Sequence, residues 1–291
     1  MTREIAVLTN PTSGKGRAAG LDDVVVPRLQ RSGASVRRLQ GRNAEEARDL
    51  AAACVAQGID TLVVVGGDGM VHLAIQVLAG TETSLGVVPA GTGNDVSRYF
   101  GIPRDDTVAA IDAIIAGKTR TIDLGRVGPT YFISVLAGGL DAIVNERVNR
   151  MTWPKGQMRY NIATIAALRS FEPIAYRIDI DGEELAFEAT TLAVGNTSSY
   201  GGGMRIAEGA DAEDGLLDLV VIGPGTSREL LMTFPKVFKG AHINHPKFHR
   251  WQGKKITIVA SGITAYADGE PIAPLPITVE VVPSALRIIT P

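Results

Sequence analysis

The sequence predicts two domains: an α/β amino-terminal domain with a parallel sheet covered by helices, then a β-rich, antiparallel, sandwich-like carboxy-terminal domain. Three observations predict it. The first part of the chain alternates apolar runs with helical periodicity, the pattern of a parallel sheet with crossover helices. Two of those runs, TLVVV (61–65) and SLGVVPA (84–90), show no polar alternation, which suits strands buried on both faces. After about residue 125 the rhythm changes to short strand-like runs separated by Gly, Pro, Asn and Asp.

In order, EIAVLT (4–9) is a strand that ends at the Asn10-Pro11 turn. Residues 17–32 are expected to be helical, although Val24–Val26 and Pro27 weaken the helix. A strand follows over 35–39. Asn43 is placed to cap a helix through Ala56, with Glu45 and Glu46 in its first turn. A further helix is expected from about 70 to 79. Asp105-Asp106 caps another through Ile115, closed by Gly117. In the second half, IDIDGEELAF reads as a hairpin around Asp181-Gly182. Helical patterns interrupt the strands at roughly 139–149, 156–170 and 227–239. The expected division is 1–127 and 128–283, with a last strand over about 284–291 that can rejoin the first domain.

Composition narrows the function. Of 291 residues, 45% are hydrophobic and 21% charged, so the chain is globular rather than disordered. A net charge of −2 gives no global field towards nucleic acid or anionic lipid, leaving any such attraction to a local patch. The single Cys54 rules out an intramolecular disulfide framework and reads as a buried structural thiol. With no signal pattern and no run long enough to span a bilayer, the expectation is a cytoplasmic protein that meets lipid only peripherally, at the inner membrane face.

Three glycine-containing loops follow strands of the first domain, and ligands of parallel α/β sheets bind at such strand ends. Asn10-Pro11-Thr12-Ser13-Gly14-Lys15-Gly16 resembles a P-loop, but Thr9 stands where the Walker pattern needs glycine and Gly16 replaces the final hydroxyl residue. Its amides and Lys15 can still hold phosphate. Gly66-Gly67-Asp68-Gly69 closes TLVVV. Its glycines remove bulk and permit positive φ, the following helix offers free amides, and Asp68 suits Mg²⁺ among phosphates. A plain turn with a solvated Asp is the bland alternative. Pro89-Ala90-Gly91-Thr92-Gly93-Asn94-Asp95 closes the next strand with the same mixture of glycine, hydroxyl, amide and carboxylate.

Taken together, NPTSGKG, VVGGDG, VPAGTGND, Asp123-Leu124-Gly125, the stretch 193–222 and Tyr266-Ala267-Asp268-Gly269-Glu270 resemble the diacylglycerol kinase family, especially soluble bacterial lipid kinases of the YegS-like type. The matches keep their order over about residues 5–270. The resemblance implies an α/β nucleotide-binding domain and a β-rich domain with the active site in the cleft between them, ATP as phosphoryl donor, and Mg²⁺. It places Asn10, Pro11, Thr12, Ser13, Gly14, Lys15, Gly66, Gly67, Asp68, Gly69, Gly91, Thr92 and Asn94 at the nucleotide. It implies a catalytic Mg²⁺ among Asp68, Asp95 and Asp123, and a structural one held by Asp211, Asp214 and the Leu216 carbonyl. Met70, His72 and Leu73 depart from the family's Thr and Asn-Glu after GGDG, and 40–43 lacks an expected threonine.

A lipid kinase needs a group to take the acceptor's hydroxyl proton. Glu270 and Asp268, two apart on a segment read as extended, are the candidates, with Glu270 favoured and Asp268 in support; a bare Asp-Gly hairpin turn is the alternative. His242, His245 and His249 hint at zinc but lack a completing ligand, so a solvated loop is the simpler reading. Residues 151–171, with Trp153, Tyr160 and Phe171 among Lys155, Arg159 and Arg169, read either as a lipid-resting segment or as an ordinary packed helix. So does 234–248, with Lys236, Lys239 and Lys247. The leading function is phosphorylation of a lipid hydroxyl, most naturally diacylglycerol to phosphatidic acid. NAD kinases and phosphofructokinases also use GGDG after a strand, and a non-catalytic nucleotide-binding regulator would fit Met70 and His72. Sheet edges leave a homodimer open.

Overall fold

The computed structural model describes residues 2–9, 20–139, 143–144, 147–148, 150–154, 157–170 and 172–291. The phosphate-loop candidates Asn10, Pro11, Thr12, Ser13, Gly14 and Lys15 lie outside these residues, as does part of the helix expected over 139–149. The chain divides into two compact units, Met1–Leu124 with Pro283–Pro291, and Gly125–Val282.

In the first unit β1 (Glu4–Thr9), β2 (Ser35–Leu39), β3 (Thr61–Gly66) and β4 (Ser84–Pro89) lie parallel in the order β2-β1-β3-β4. The carboxy-terminal end of β16 (Ile277–Ile289) joins β4 in parallel through Arg287 and Ile288. Every residue of β3 and β4 is buried, as their unbroken apolar runs require. One face buries Ile5, Val7, Val63, Val65 and Val88 against Val25, Val26 and Leu29 of α1 (Asp22–Arg31) and Ile111 and Ile114 of α5 (Thr107–Ala116). The alternate residues Ala6, Leu8, Leu62 and Val64 point to the opposite face and are also buried. There α2 (Ala44–Ala56) and α3 (Asp68–Leu78) pack on one another. Each such aliphatic side chain contributes about 1.5–3 kcal/mol.

The caps follow the sequence. Asn43 Oδ1 accepts from Glu46 N at 2.9 Å, Asp106 Oδ1 accepts from Ala109 N at 3.0 Å, and Gly117, at φ 69°, ends α5. Two starts differ from expectation. Helix α1 begins at Asp22 rather than 17 and runs through Pro27, because Val25, Val26 and Leu29 on one side bury well enough to offset the lost amide. Helix α3 begins at Asp68, two residues before the expected start, because Gly67 takes an extended N-cap conformation.

The second unit is a sandwich. One sheet carries the start of β16, β13 (Lys255–Val259), β8 (Ile174–Ile180) and β9 (Glu183–Ala189), all antiparallel. The other runs β12 (Phe248–Gly253), β11 (Leu217–Ile222), β10 (Thr191–Gly195), β7 (Val135–Ala137), β14 (Thr264–Ala267), β15 (Glu270–Pro274). Tyr176, Ile178, Ile180, Ile256 and Ile258 meet Leu136, Leu192, Val194, Leu217 and Leu219 between the sheets. The β8–β9 turn is the expected two-residue loop, with Asp181 at φ 52° and Gly182 at φ 96°. Beside the sandwich, α6 (Gln157–Ser170) packs on α7 (Ser227–Val237). Helix α7 starts with a capping box between Thr226 and Glu229.

Candidate active site

Strand order fixes where the first unit can bind. With β2-β1-β3-β4, the order of the sheet switches between β1 and β3, and the crevice outside their carboxyl ends is the preferred ligand position. Thr9, the last residue of β1, pairs with Val65, so β1 ends level with the last residues of β3. At the same end α3 presents its first turn, where Asp68 and Gly69 sit; such amides lie beyond the reach of intrahelical bonding and favour an anion.

The second and third loops form one ledge. Ala90 N donates to Gly66 O at 2.8 Å. A Cβ on Gly91 would lie 2.4 Å from Gly67 Cα, and one on Gly67 would lie 2.9 Å from Gly91 Cα. Glycine is therefore required at both because two backbones touch. The positive φ expected of these glycines does not occur; in this stretch it falls on Asn94, at φ 50°. Asn94 spends its amide on the loop itself: Gly91 N donates to its Oδ1 at 3.0 Å, and its Nδ2 donates to Gly91 O at 3.2 Å. It shapes the loop rather than reaching out of it. Asp68 Oδ1 accepts from Val96 N at 3.3 Å, tying the start of α3 to the start of α4 (Asp95–Tyr99). Thr92 is exposed at the ledge, while Asp95 is buried with Arg98 Nε 3.8 Å away.

Asp123 lies buried on β5 (Thr119–Val127) and accepts from Ser284 N at 2.7 Å, fastening the last strand. Among the described residues no three His, Cys, Asp or Glu side chains gather as a metal site would gather them. The expected grouping of Asp68, Asp95 and Asp123 into one network is thus not assembled; Asp68 and Asp123 each hold a backbone amide of a different strand or helix. Their hard carboxylate oxygens fit Mg²⁺ in its usual mode of one or two carboxylates with water and phosphate, and do not fit a dedicated three-carboxylate cage. Met70, the departure at the helix start, is buried in α3 packing, and His72 is half-buried one position beyond Val71.

The other metal candidates shape a turn. Asp211 Oδ1 accepts from Glu213 N at 3.1 Å, and Asp214 Oδ1 from Leu216 N at 2.9 Å, leading the chain into β11. The sequence reading missed Asp218, which is buried and paired with Arg250, a cation that also donates to the carbonyls of Glu208 and Gly209. Burial pushes the Asp218 carboxyl above its usual range, and the Arg250 contact partly offsets it.

In the second unit the late motif is a turn with a task. Asp268 (φ 52°) and Gly269 (φ 87°) form the two-residue loop between β14 and β15, with Ala267 paired to Glu270. Asp268 and Glu270 therefore do not share one extended segment, as the sequence reading had it. Asp268 accepts from Ile133 N at 3.0 Å and Ser134 N at 2.9 Å, one amide on each carboxylate oxygen. Asn196, the residue after β10, grips the same two residues, donating through N to Ser134 O and through Nδ2 to Ile133 O, each at 2.9 Å. That role of Asn196 was unread in the sequence, although its GNTSS setting could have flagged it. Glu270 is exposed at the turn.

The three histidines do not converge. His242 is not solvated but buried, its Nε2 bonding to Ile206 O at 3.0 Å and its ring edge-on to Phe248; His249 stacks on Trp251.

Residues 4–127 match the diacylglycerol kinase catalytic domain, and residues 134–290 match the YegS C-terminal NAD kinase beta sandwich-like domain. A diacylglycerol kinase of Mycobacterium tuberculosis is 44% identical over 294 residues, covering 99% of this chain and 95% of that relative. This chain belongs to the diacylglycerol kinase family. A diacylglycerol kinase of Bacillus subtilis is 28% identical over 91% of this chain and 88% of its own. The fold of this diacylglycerol kinase family member also matches the crystal structure of a diacylglycerol kinase from Bacillus anthracis, with TM-score 0.81 at 23% identity over 99% of this chain and 97% of that one. Membership brings the chain into a lipid kinase family, and among its described residues no helix is long and apolar enough to cross a membrane.

Proposed function

We propose that this chain transfers the γ-phosphoryl group of ATP to the hydroxyl of a membrane lipid, with diacylglycerol as acceptor and phosphatidic acid as product, and that it meets its substrate peripherally from the cytoplasmic side. The observation that carries the reading is the ledge of Gly66, Gly67, Asp68 and Gly91 at the switch of strand order, where helix α3 begins. Phosphoryl transfer asks the protein chiefly for positioning and charge neutralisation. A ledge of bare backbone beside a helix start supplies the first, and the family resemblance adds the 10–15 segment leaving β1. The names of the curated relatives support the acceptor.

In the step itself, the bond from γ-phosphorus to the β–γ bridging oxygen breaks and a bond to the lipid oxygen forms. The hydroxyl proton passes to the Glu270 carboxylate, and ADP leaves. Asp268, with both oxygens committed to Ile133 and Ser134, holds the turn that carries Glu270. Asp68 and Asp123 are the carboxylates that would be offered to magnesium, which would supply charge neutralisation at the phosphates.

The test is transfer of labelled γ-phosphate to a panel presented in mixed micelles: diacylglycerol, phosphatidylglycerol, a sphingoid base, and NAD as a soluble control. Label on diacylglycerol supports the reading. Label on another lipid alcohol corrects the acceptor, and label on NAD alone, or nucleotide binding without transfer, overturns it.

A further inference from the structure

We infer that the outer faces of α6 and α7, with Trp153 and the segment after α7, form the surface through which this protein docks on a bilayer carrying anionic lipid. The inference rests on the lipid-acceptor reading, since it is the acceptor that brings the enzyme to a bilayer.

Among the described side chains of helix α6 the buried ones are small, Ala163, Thr164 and Ala167, whereas Met158, Ile162 and Ile165 face outward at 60%, 42% and 39% exposure. Their spacing of four and three places them on one stripe. Trp153, just before the helix, is 78% exposed. Helix α7 packs Leu230, Leu231 and Phe234, each half-buried, against the cluster of Ala163 and Ala167, and leaves Met232 at 66% exposure, with Phe238 and Ile243 following. Of the nine large apolar side chains exposed among the described residues, seven lie in these two stretches. Scattered singly, such residues need no explanation; gathered on two helices that pack together and on the segments flanking them, they mark an interface.

Charge selects the occupant. The chain carries −2 overall, yet residues 147–171 contain five Lys or Arg and no Asp or Glu. Residues 230–248 contain three Lys and again no acid. Arg228, Lys236 and Lys239 are exposed, and Lys236 and Lys239 make no ion pair among the described residues. The one carboxylate on α7, Glu229, is taken by Thr226 and Lys247. Exposed apolar side chains on segments that also expose Arg228, Lys236 and Lys239, with an exposed tryptophan, are what the boundary of an anionic leaflet accommodates. A second copy of the same surface would instead bring cation against cation.

Co-sedimentation with vesicles of phosphatidylcholine, with and without phosphatidylglycerol, tests this without turnover. The unmodified protein is expected to bind the phosphatidylglycerol vesicles more tightly. Lys236→Ser with Lys239→Ser should weaken that binding roughly thirtyfold. Met158→Ser with Ile162→Ser and Met232→Ser should abolish it, at unchanged melting temperature and unchanged phosphorylation of a short-chain diacylglycerol below its micellar limit. Vesicle binding that survives both variants overturns the proposal, as does an α6–α7 variant that only converts a dimer into a monomer. Loss of vesicle binding in a protein that phosphorylates no lipid leaves the docking surface standing and removes the lipid-kinase reading instead.

Discussion

Asp68 joins structure to chemistry in a single side chain. Its Oδ1 holds Val96 N, so it fixes the ledge, and its charge stands at the start of α3. Asp68→Asn keeps an acceptor for Val96 but loses the charge. Turnover should fall by about 10²–10³ with the melting temperature little changed, measured by initial rates alongside thermal unfolding; turnover close to the parent's would remove Asp68 from the metal's donors. Gly91→Ala should instead destabilise by about 1–3 kcal/mol, because the new methyl meets Gly67 Cα. The pair Asp268 and Glu270 separates in the same way. Asp268→Asn keeps only one oxygen for the Ile133 and Ser134 amides and should lower stability by about 1–3 kcal/mol, whereas Glu270→Gln should lower kcat with an unchanged melting temperature. At this scale the sequence displayed the glycines and aspartates but not their reasons. Local motifs predict positive φ or a waiting ligand. The contact between Gly67 and Gly91, and the reach of Asp268 to Ile133 and Ser134, exist only once distant strands are neighbours.

Elements were more legible than side-chain roles, because strand burial and helix caps are local. TLVVV and SLGVVP became fully buried strands, and Asn43 and Asp106 cap as their types demand. Helix α1 runs through Pro27 as expected, and the differences lie at helix starts: α1 begins at Asp22, and α3 at Asp68, where Gly67 takes an extended N-cap conformation that no local pattern announces. The capping box of α7 makes its own prediction. Thr226→Ala should cost about 1 kcal/mol in urea unfolding, and because α7 carries Leu230 and Phe234 against α6, exchange protection should drop in both helices. His242, in the short helix Ala241–Asn244, departs from the expected solvated loop, because a histidine-rich loop gives no sign of which ring turns inward. Burial, only partly offset by the Ile206 carbonyl and Glu208, pushes its imidazole below the usual range, so the fold holds the neutral ring. The unfolded chain takes up that proton near pH 6.5, the folded chain only lower. Stability from this group is therefore complete above about pH 6.5 and is lost as pH falls below it. Urea unfolding at several pH values should show a shallower acid-side decline for His242→Asn than for the parent.

At the scale of the molecule, the change of rhythm near residue 125 corresponds to a change of architecture. A parallel sheet in the order β2-β1-β3-β4 gives way to two antiparallel sheets around a separate core. The order of strands was not legible, since alternation specifies layers but not which strands are neighbours, and it is the order that puts the β1 and β3 tips side by side. Hydrogen exchange with and without a magnesium-loaded, non-hydrolysable ATP analogue locates the nucleotide on the sheet. Added protection is expected at 66–73 and 90–96, abolished by Asp68→Ala. Protection confined to the amino-terminal ends of β1, β3 and β4, or to no part of this sheet, would contradict that placement.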